Sequence, residues 1–135
     1  MKIVVDTNVL VSALIQPEGT PARVLDVILS GQAKLLLDHR IFTEYQDVLL
    51  RPEIGFAPDR VGHLLDFLLQ FGERVYTVET RVHLTDAADG KFLEVAIDGA
   101  ADFLVTGNLR HFQPRLRHGI RVVSPRQWWE LWIQI

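Results

Sequence analysis

The run Ile3-Val4-Val5 constrains this chain more than any other feature: three β-branched residues without a polar interruption, stopped abruptly by Asp6. A short, wholly apolar segment of this kind suits a central strand buried on both faces of a parallel sheet, which needs helices on both sides and so predicts an α/β fold. Asp6 then stands at the C-terminal end of a strand. Open α/β sheets gather ligands and working groups in the crevice beyond those ends, so a carboxylate held there by a rigid strand is a candidate functional residue. The structural alternative is that Asp6-Thr7-Asn8 merely caps the helix that begins around Val9-Leu10-Val11.

The rest of the chain alternates between two hydrophobic periods. Val9 to Ile15 reads as a helix broken by Gln16-Pro17-Glu18-Gly19, and Thr20-Pro21 starts a second helix that ends at Gly31. Lys34 to Leu37 is a strand ending in Asp38. Arg40 to Leu50 is a helix with Glu44 at the border of its apolar face. Ala57-Pro58 opens a long helix that stops at Gly72, Arg74 to Val78 alternates like a strand, and a polar loop leads through Asp86 to a helix opened by Asp89. Phe103 to Val105 and Ile120 to Val123 are the last strands, and Ser124-Pro125 begins a terminal helix carrying Trp128, Trp129 and Trp132. Strands and helices alternating at this spacing predict one domain over residues 1–135, a three-layer α/β/α sandwich around a mostly parallel sheet of about five strands.

Composition narrows the function. No cysteine is present, which removes disulfides and thiolate metal sites. No apolar run approaches the ~18 residues of a membrane helix, and Asp6 interrupts the N-terminal run too early for a signal peptide, so a cytoplasmic location with no membrane partner is expected. A net charge of −3 argues against nucleic-acid binding by bulk electrostatics. The local distribution is different: no acid occurs from Phe103 to Trp129, whereas Arg110, Arg115, Arg117, Arg121 and Arg126 all fall there.

The polar residues expected at the C-terminal edge of the sheet form a set. Asp6 follows the first strand, Glu44 lies on the helix after the second, Asp86 and Asp89 lie in the loop and helix start after the third, and Asn108 follows the fourth. Carboxylates sharing one crevice repel unless a cation neutralises them, and hard oxygen donors without cysteine favour Mg2+ or Mn2+. Such a centre suits phosphoryl chemistry. The basic segment beyond it offers Arg110, Arg115 and Arg117 as contacts for flanking phosphates, or else a solvated face or a dock for an acidic partner.

These residues together resemble a PIN domain: Val5-Asp6-Thr7-Asn8-Val9-Leu10, an inward Glu44, Asp86-Ala87-Ala88-Asp89-Gly90-Lys91-Phe92-Leu93-Glu94, and Ala101-Asp102-Phe103-Leu104-Val105-Thr106-Gly107-Asn108. The likeness runs through nearly the whole chain in order and is greatest to the stand-alone, VapC-like ribonucleases of toxin–antitoxin pairs. It implies that Asp6, Glu44 and Asp89 are the catalytic acidic triad and hold the metal, with Asn108 at a fourth position where many relatives carry Asp. It also implies Mg2+- or Mn2+-dependent cleavage of RNA, a homodimer, and an antitoxin partner. Ala87, Ala88 and Gly90 dilute an acidic cluster that is often denser in relatives, so the third ligand is Asp86 or Asp89, with Asp89 favoured. Other functions compete. The Asp6-Thr7-Asn8-Val9 loop also resembles that of haloacid-dehalogenase phosphatases, though Asn8 replaces their second acid. A receiver domain lacks its acidic pair and lysine here, and the neutral Asn108 leaves room for a catalytically decayed RNA- or protein-binding module. His39, His63, His83, His111 and His118 show no ligand spacing and read as surface or loop positions, and the tryptophans read as packing.

Overall fold

The computed structural model describes residues 1–77 and 82–135. In chain order the elements are β1 (Lys2–Val5), α1 (Thr7–Ile15), α2 (Thr20–Leu29), β2 (Lys34–Leu37), α3 (His39–Leu49), α4 (Pro58–Phe71), β3 (Glu73–Arg74), α5 (Gly90–Asp98), β4 (Phe103–Val105), β5 (Val122–Val123) and α6 (Pro125–Trp132). Five strands form one sheet in the order β3-β2-β1-β4-β5, with every pairing parallel. Helices cover the sheet in the three-layer arrangement expected from the alternating periods. Ile3, Val4 and Val5 are completely buried, as a strand with neighbours on both edges and helices on both faces requires. Their register sets Ile3 beside Leu35 on one side and Phe103 on the other, and Val5 beside Val105.

The order of the strands positions the site. From β1 the chain steps outward through β2 to β3, then returns to place β4 on the opposite side of β1. The C-terminal ends of β1 and β4 therefore flank the point where the winding reverses, and there the helices diverge to leave a crevice. Asp6 N–H still donates to Val105 O at 2.9 Å, so the ladder between β1 and β4 runs up to the residue that enters the crevice.

Two expected strands are shorter than their patterns. The alternation from Arg74 onward yields only Glu73–Arg74 plus one further bond, Val75 N–H to Leu37 O at 2.9 Å; Tyr76 is already exposed, and Val78 lies outside the described residues. In the last strand Ile120 is drawn into a turn, its N–H donating to Arg117 O at 3.0 Å, and β5 is confined to Val122–Val123. Edge strands with one neighbour have fewer ladder bonds to resist such turns. The start of α6 follows the sequence closely: the Ser124 hydroxyl accepts from Gln127 N–H while the Gln127 side chain accepts from Ser124 N–H, a reciprocal cap. Trp128 is fully buried and stacks on Trp132 with centroids 5.3 Å apart, so these rings serve packing.

Candidate active site

Hydrogen bonding separates the capping acids from the others. Asp38 caps α3 by accepting from Ile41 N–H at 3.0 Å, and Asp86 caps the single 3-10 turn Ala87–Asp89 by accepting from Ala88 N–H at 2.9 Å. Asp6 and Asp89 occupy the cap positions of α1 and α5, yet neither side chain caps its helix. The capping alternative for Asp6 thus fails in detail. Its Oδ2 instead accepts from the Thr106 hydroxyl at 2.7 Å, and the same hydroxyl accepts from Asn108 N–H at 3.0 Å. Beside it, the Asn8 side chain accepts from Gly107 N–H at 3.1 Å. A Cβ on Gly107 would stand 3.3 Å from Asn8 Oδ1, a reason for glycine at this close approach. The loops after β1 and β4 are in this way tied together through Asp6 and Asn8.

Asp6 is only 6 % exposed, and burial raises its pKa to about 6. The Thr106 hydrogen bond opposes that rise, while the charges of Asp89 and Glu44 add to it. Asp89 is raised as well, first by burial and then by Asp86, with His111 and Lys91 pulling the other way and Glu44 adding to the rise. Tyr45, fully buried on α3 with its hydroxyl donating to Val5 O, is pushed far up by burial and by Asp6, Glu44 and Asp38. Asp6, Glu44 and Asp89 are thus within electrostatic reach of one another at the switch point. Asp86 raises Asp89 but is not among the groups that shift Asp6, and its carboxylate is committed to the turn.

Glu44 is engaged at both oxygens: Oε1 pairs with Lys91 Nζ at 2.7 Å, and Oε2 accepts from the Thr7 hydroxyl. Among the described residues, no three acidic or histidine side chains are already drawn together as a metal cage. The donor set nevertheless suits a hard divalent cation. All three acids present oxygen, burial with the neighbouring like charges raises the pKa of Asp6 and Asp89, and the buried Asp89 Oδ2 faces the His111 ring at 3.2 Å rather than a hydrogen-bond donor of its own helix. A cation would relieve each of these costs.

Asn108 enters by its backbone, through Thr106; its side chain is exposed and caps nothing. Arg110 and Arg115 lie exposed on the 3-10 turns Leu109–His111 and Pro114–Leu116. Arg117 is half-buried and folds back, its Nε donating to Phe112 O at 2.8 Å. Arg121 lies over the Phe103 ring and Arg126 pairs with Glu130, so neither is a free cation.

Several residues of the site escape a linear reading. Thr7, Thr106 and Lys91 fall within the stretches that carry the family resemblance, but their spacing assigns them no role, although Thr106 follows β4 just as Asp6 follows β1. His111, read from sequence as a surface or loop position, is half exposed but places Nδ1 3.2 Å from Asp89 Oδ2. Its separation of 22 positions from Asp89 conceals that pairing in the sequence.

Comparison with known proteins bears on the family and the fold. The family described as PIN domain matches residues 2–110. An uncharacterized protein of Methanocaldococcus jannaschii is 29 % identical over 111 residues, covering 80 % of this chain and 71 % of the relative. Among solved structures, a chain of VapBC2 from Rickettsia felis, crystallised bound to a DNA fragment from their promoter, superposes with a TM-score of 0.63 over 92 % of this chain and 98 % of that one. At 15 % identity this last match is a likeness of fold.

Proposed function

Since the chain belongs to the PIN domain family, whose members are generally nucleases that use divalent metal ions, we propose that it is an Mg2+- or Mn2+-dependent endoribonuclease and the toxin of a toxin–antitoxin pair. The observation that carries this reading is the convergence of Asp6, Glu44 and Asp89 at the switch point, with Asp6 raised to about 6 by burial and by the other two charges. Asp6, Glu44 and Asp89 are the residues that would hold the ion. Asp86, its carboxylate accepting from Ala88 N–H, would add negative charge beside Asp89 that draws the ion, and Asn108 would supply a neutral oxygen at the fourth position. The chemistry a bound ion supplies is polarisation of the scissile phosphate and water acidic enough to attack near neutral pH.

The protein's own contributions follow from its contacts. Thr106 fixes the orientation of Asp6 by donating to Oδ2, and Asn108 N–H fixes Thr106 in turn. Thr7 holds Glu44 toward the crevice. Arg110 and Arg115, exposed next to Asn108 in an acid-free segment, would take flanking phosphates of the RNA, with Arg117 a lesser contact because its Nε is committed to Phe112 O. Residues 1–135 would act as one domain, in a homodimer with an antitoxin as partner, of which the antitoxin is supported by the likeness of fold to a chain of VapBC2. A cytoplasmic location is part of this proposal; no helix among the described residues is long and apolar enough to cross a membrane.

The test is cleavage of single-stranded RNA, and separately of a phosphomonoester, by protein stripped of metal and then given Mg2+ or Mn2+. RNA cleavage that requires the ion and is lost in Asp6→Asn supports the reading. Hydrolysis of the monoester alone would favour a phosphatase, and RNA binding without cleavage would favour a decayed module.

A further inference from the structure

Helices α3 and α5 are joined by two ion pairs of opposite sense. Arg40 of α3 meets Glu94 of α5 at 2.7 Å, and Glu44 of α3 meets Lys91 of α5, also at 2.7 Å. Residues three or four apart share a helix face, so these four side chains make a rectangle of alternating charge. Its two ends differ. Glu94 is 3 % exposed, and Arg40 is further fixed by Asp38 Oδ2 at 2.8 Å and Thr77 Oγ1 at 3.2 Å. Opening that pair would strand a buried carboxylate. The Lys91–Glu44 end has no such anchor. The Glu44 side chain is 30 % exposed, and among the described residues the Lys91 ammonium touches, beyond Glu44, the Ala88 carbonyl and the face of the Phe92 ring. Lys91 also borders a cleft of about 600 Å3 whose wall includes Arg40, His83, Ala87 and Ala88.

We infer that Lys91 is a catalytic cation parked on Glu44, released when a divalent ion takes that carboxylate, and transferred to a phosphate oxygen of the RNA at that same centre. This rests on the ribonuclease reading above. Both Glu44 oxygens are occupied, so binding an ion there displaces a partner, and the partner of like charge is the one repelled. Departure of Lys91 does not undo the docking of α3 on α5, because Arg40–Glu94 holds their register. A compact ammonium on a four-carbon stem can swing without backbone movement. Only 13 % exposed, it needs a new anion, and the anion that arrives at such a centre is the substrate phosphate. There its charge would stabilise the phosphorane-like transition state directly.

The experiment compares wild type with Lys91→Met, which keeps the stem and removes the charge, and Lys91→Arg, which keeps the charge. Mn2+ binding to the metal-stripped full chain is read by calorimetry, RNA cleavage is read at saturating Mn2+, and thermal melting checks the fold. Removing a tethered competitor should tighten Mn2+ binding in Lys91→Met about tenfold. The cleavage rate at saturating Mn2+ should fall about 100-fold, with part of it restored in Lys91→Arg. Unchanged Mn2+ affinity in a folded Lys91→Met, or cleavage at the wild-type rate, overturns the inference while leaving the ribonuclease reading intact. A wild type that binds Mn2+ but cleaves no RNA overturns the ribonuclease reading, and the phosphate transfer with it.

Discussion

Replacing Asp6 with asparagine should stabilise the metal-free protein at neutral pH while destroying its activity, and the size of the gain follows from the site. Asp6 titrates near 6 in the folded chain against an ordinary 3.8. A difference of about two pH units corresponds to roughly 3 kcal/mol, and because the side chain is almost fully buried little of this is screened by solvent. The sign is that of a raised pKa: the folded state binds the proton more tightly than the unfolded state does. Stability from this group is fully present below pH 3.8 and is lost as pH rises through about 6. At pH 8 the wild type therefore carries a buried carboxylate facing Asp89 and Glu44, which asparagine removes. The Asn amide oxygen can still accept the Thr106 hydroxyl, so the local geometry survives. In urea denaturation with chelator at pH 8, the variant should be more stable by about 2–3 kcal/mol, and most of that gap should close by pH 4.5. Added Mn2+ should stabilise the wild type and have little effect on the variant. A variant less stable than wild type at pH 8, or a gap that ignores pH, would refute the argument and make Asp6 a structural residue held for its bond to Thr106.

Three further outcomes are expected. Neutralising Arg110 and Arg115 to Gln should weaken RNA binding and flatten its salt dependence by about 0.7 for each phosphate no longer neutralised, with Arg117→Gln contributing less, and metal affinity should be retained; an unchanged salt slope assigns this flank to another partner. Asn108→Asp should tighten metal binding and shift cleavage to lower Mn2+, whereas Asn108→Ala should do the reverse; identical calorimetric affinities in all three forms would leave Asn108 a turn residue only. Gly99→Ala should cost about 1–3 kcal/mol in urea, because its Cβ would fall 2.7 Å from Leu36 Cδ1 and 2.9 Å from Val95 O; a neutral effect would mean that the packing of α5 on the sheet yields more easily than a close-packed core should.

Local chemistry written along the chain was enough to reveal the elements and the acids. The uninterrupted Ile3-Val4-Val5 announces a strand buried on both faces, the 3.6-residue stripes announce the helices, and Ser124-Pro125 with Gln127 announces a capped start, because each depends on residues within a turn of one another. Asp6, Glu44 and Asp89 were legible as a set because each lies where a strand end or helix face has a predictable direction. The edge strands β3 and β5 were overestimated, since their length depends on partners on one side only.

Only the tertiary structure decided what each acid does. Asp6, Asp38, Asp86 and Asp89 all occupy cap positions and look alike in sequence, but Asp38 and Asp86 bond to backbone N–H groups of their own segments, whereas Asp6 turns to Thr106, one hundred positions away, and Asp89 lies against His111. The strand order β3-β2-β1-β4-β5 brings Thr106 to Asp6 and creates the crevice, and the packing of α3 against α5 pairs Glu44 with Lys91. Burial, which raises the Asp6 pKa, and charge pairing are properties of three-dimensional proximity, and no spacing along the chain encodes them.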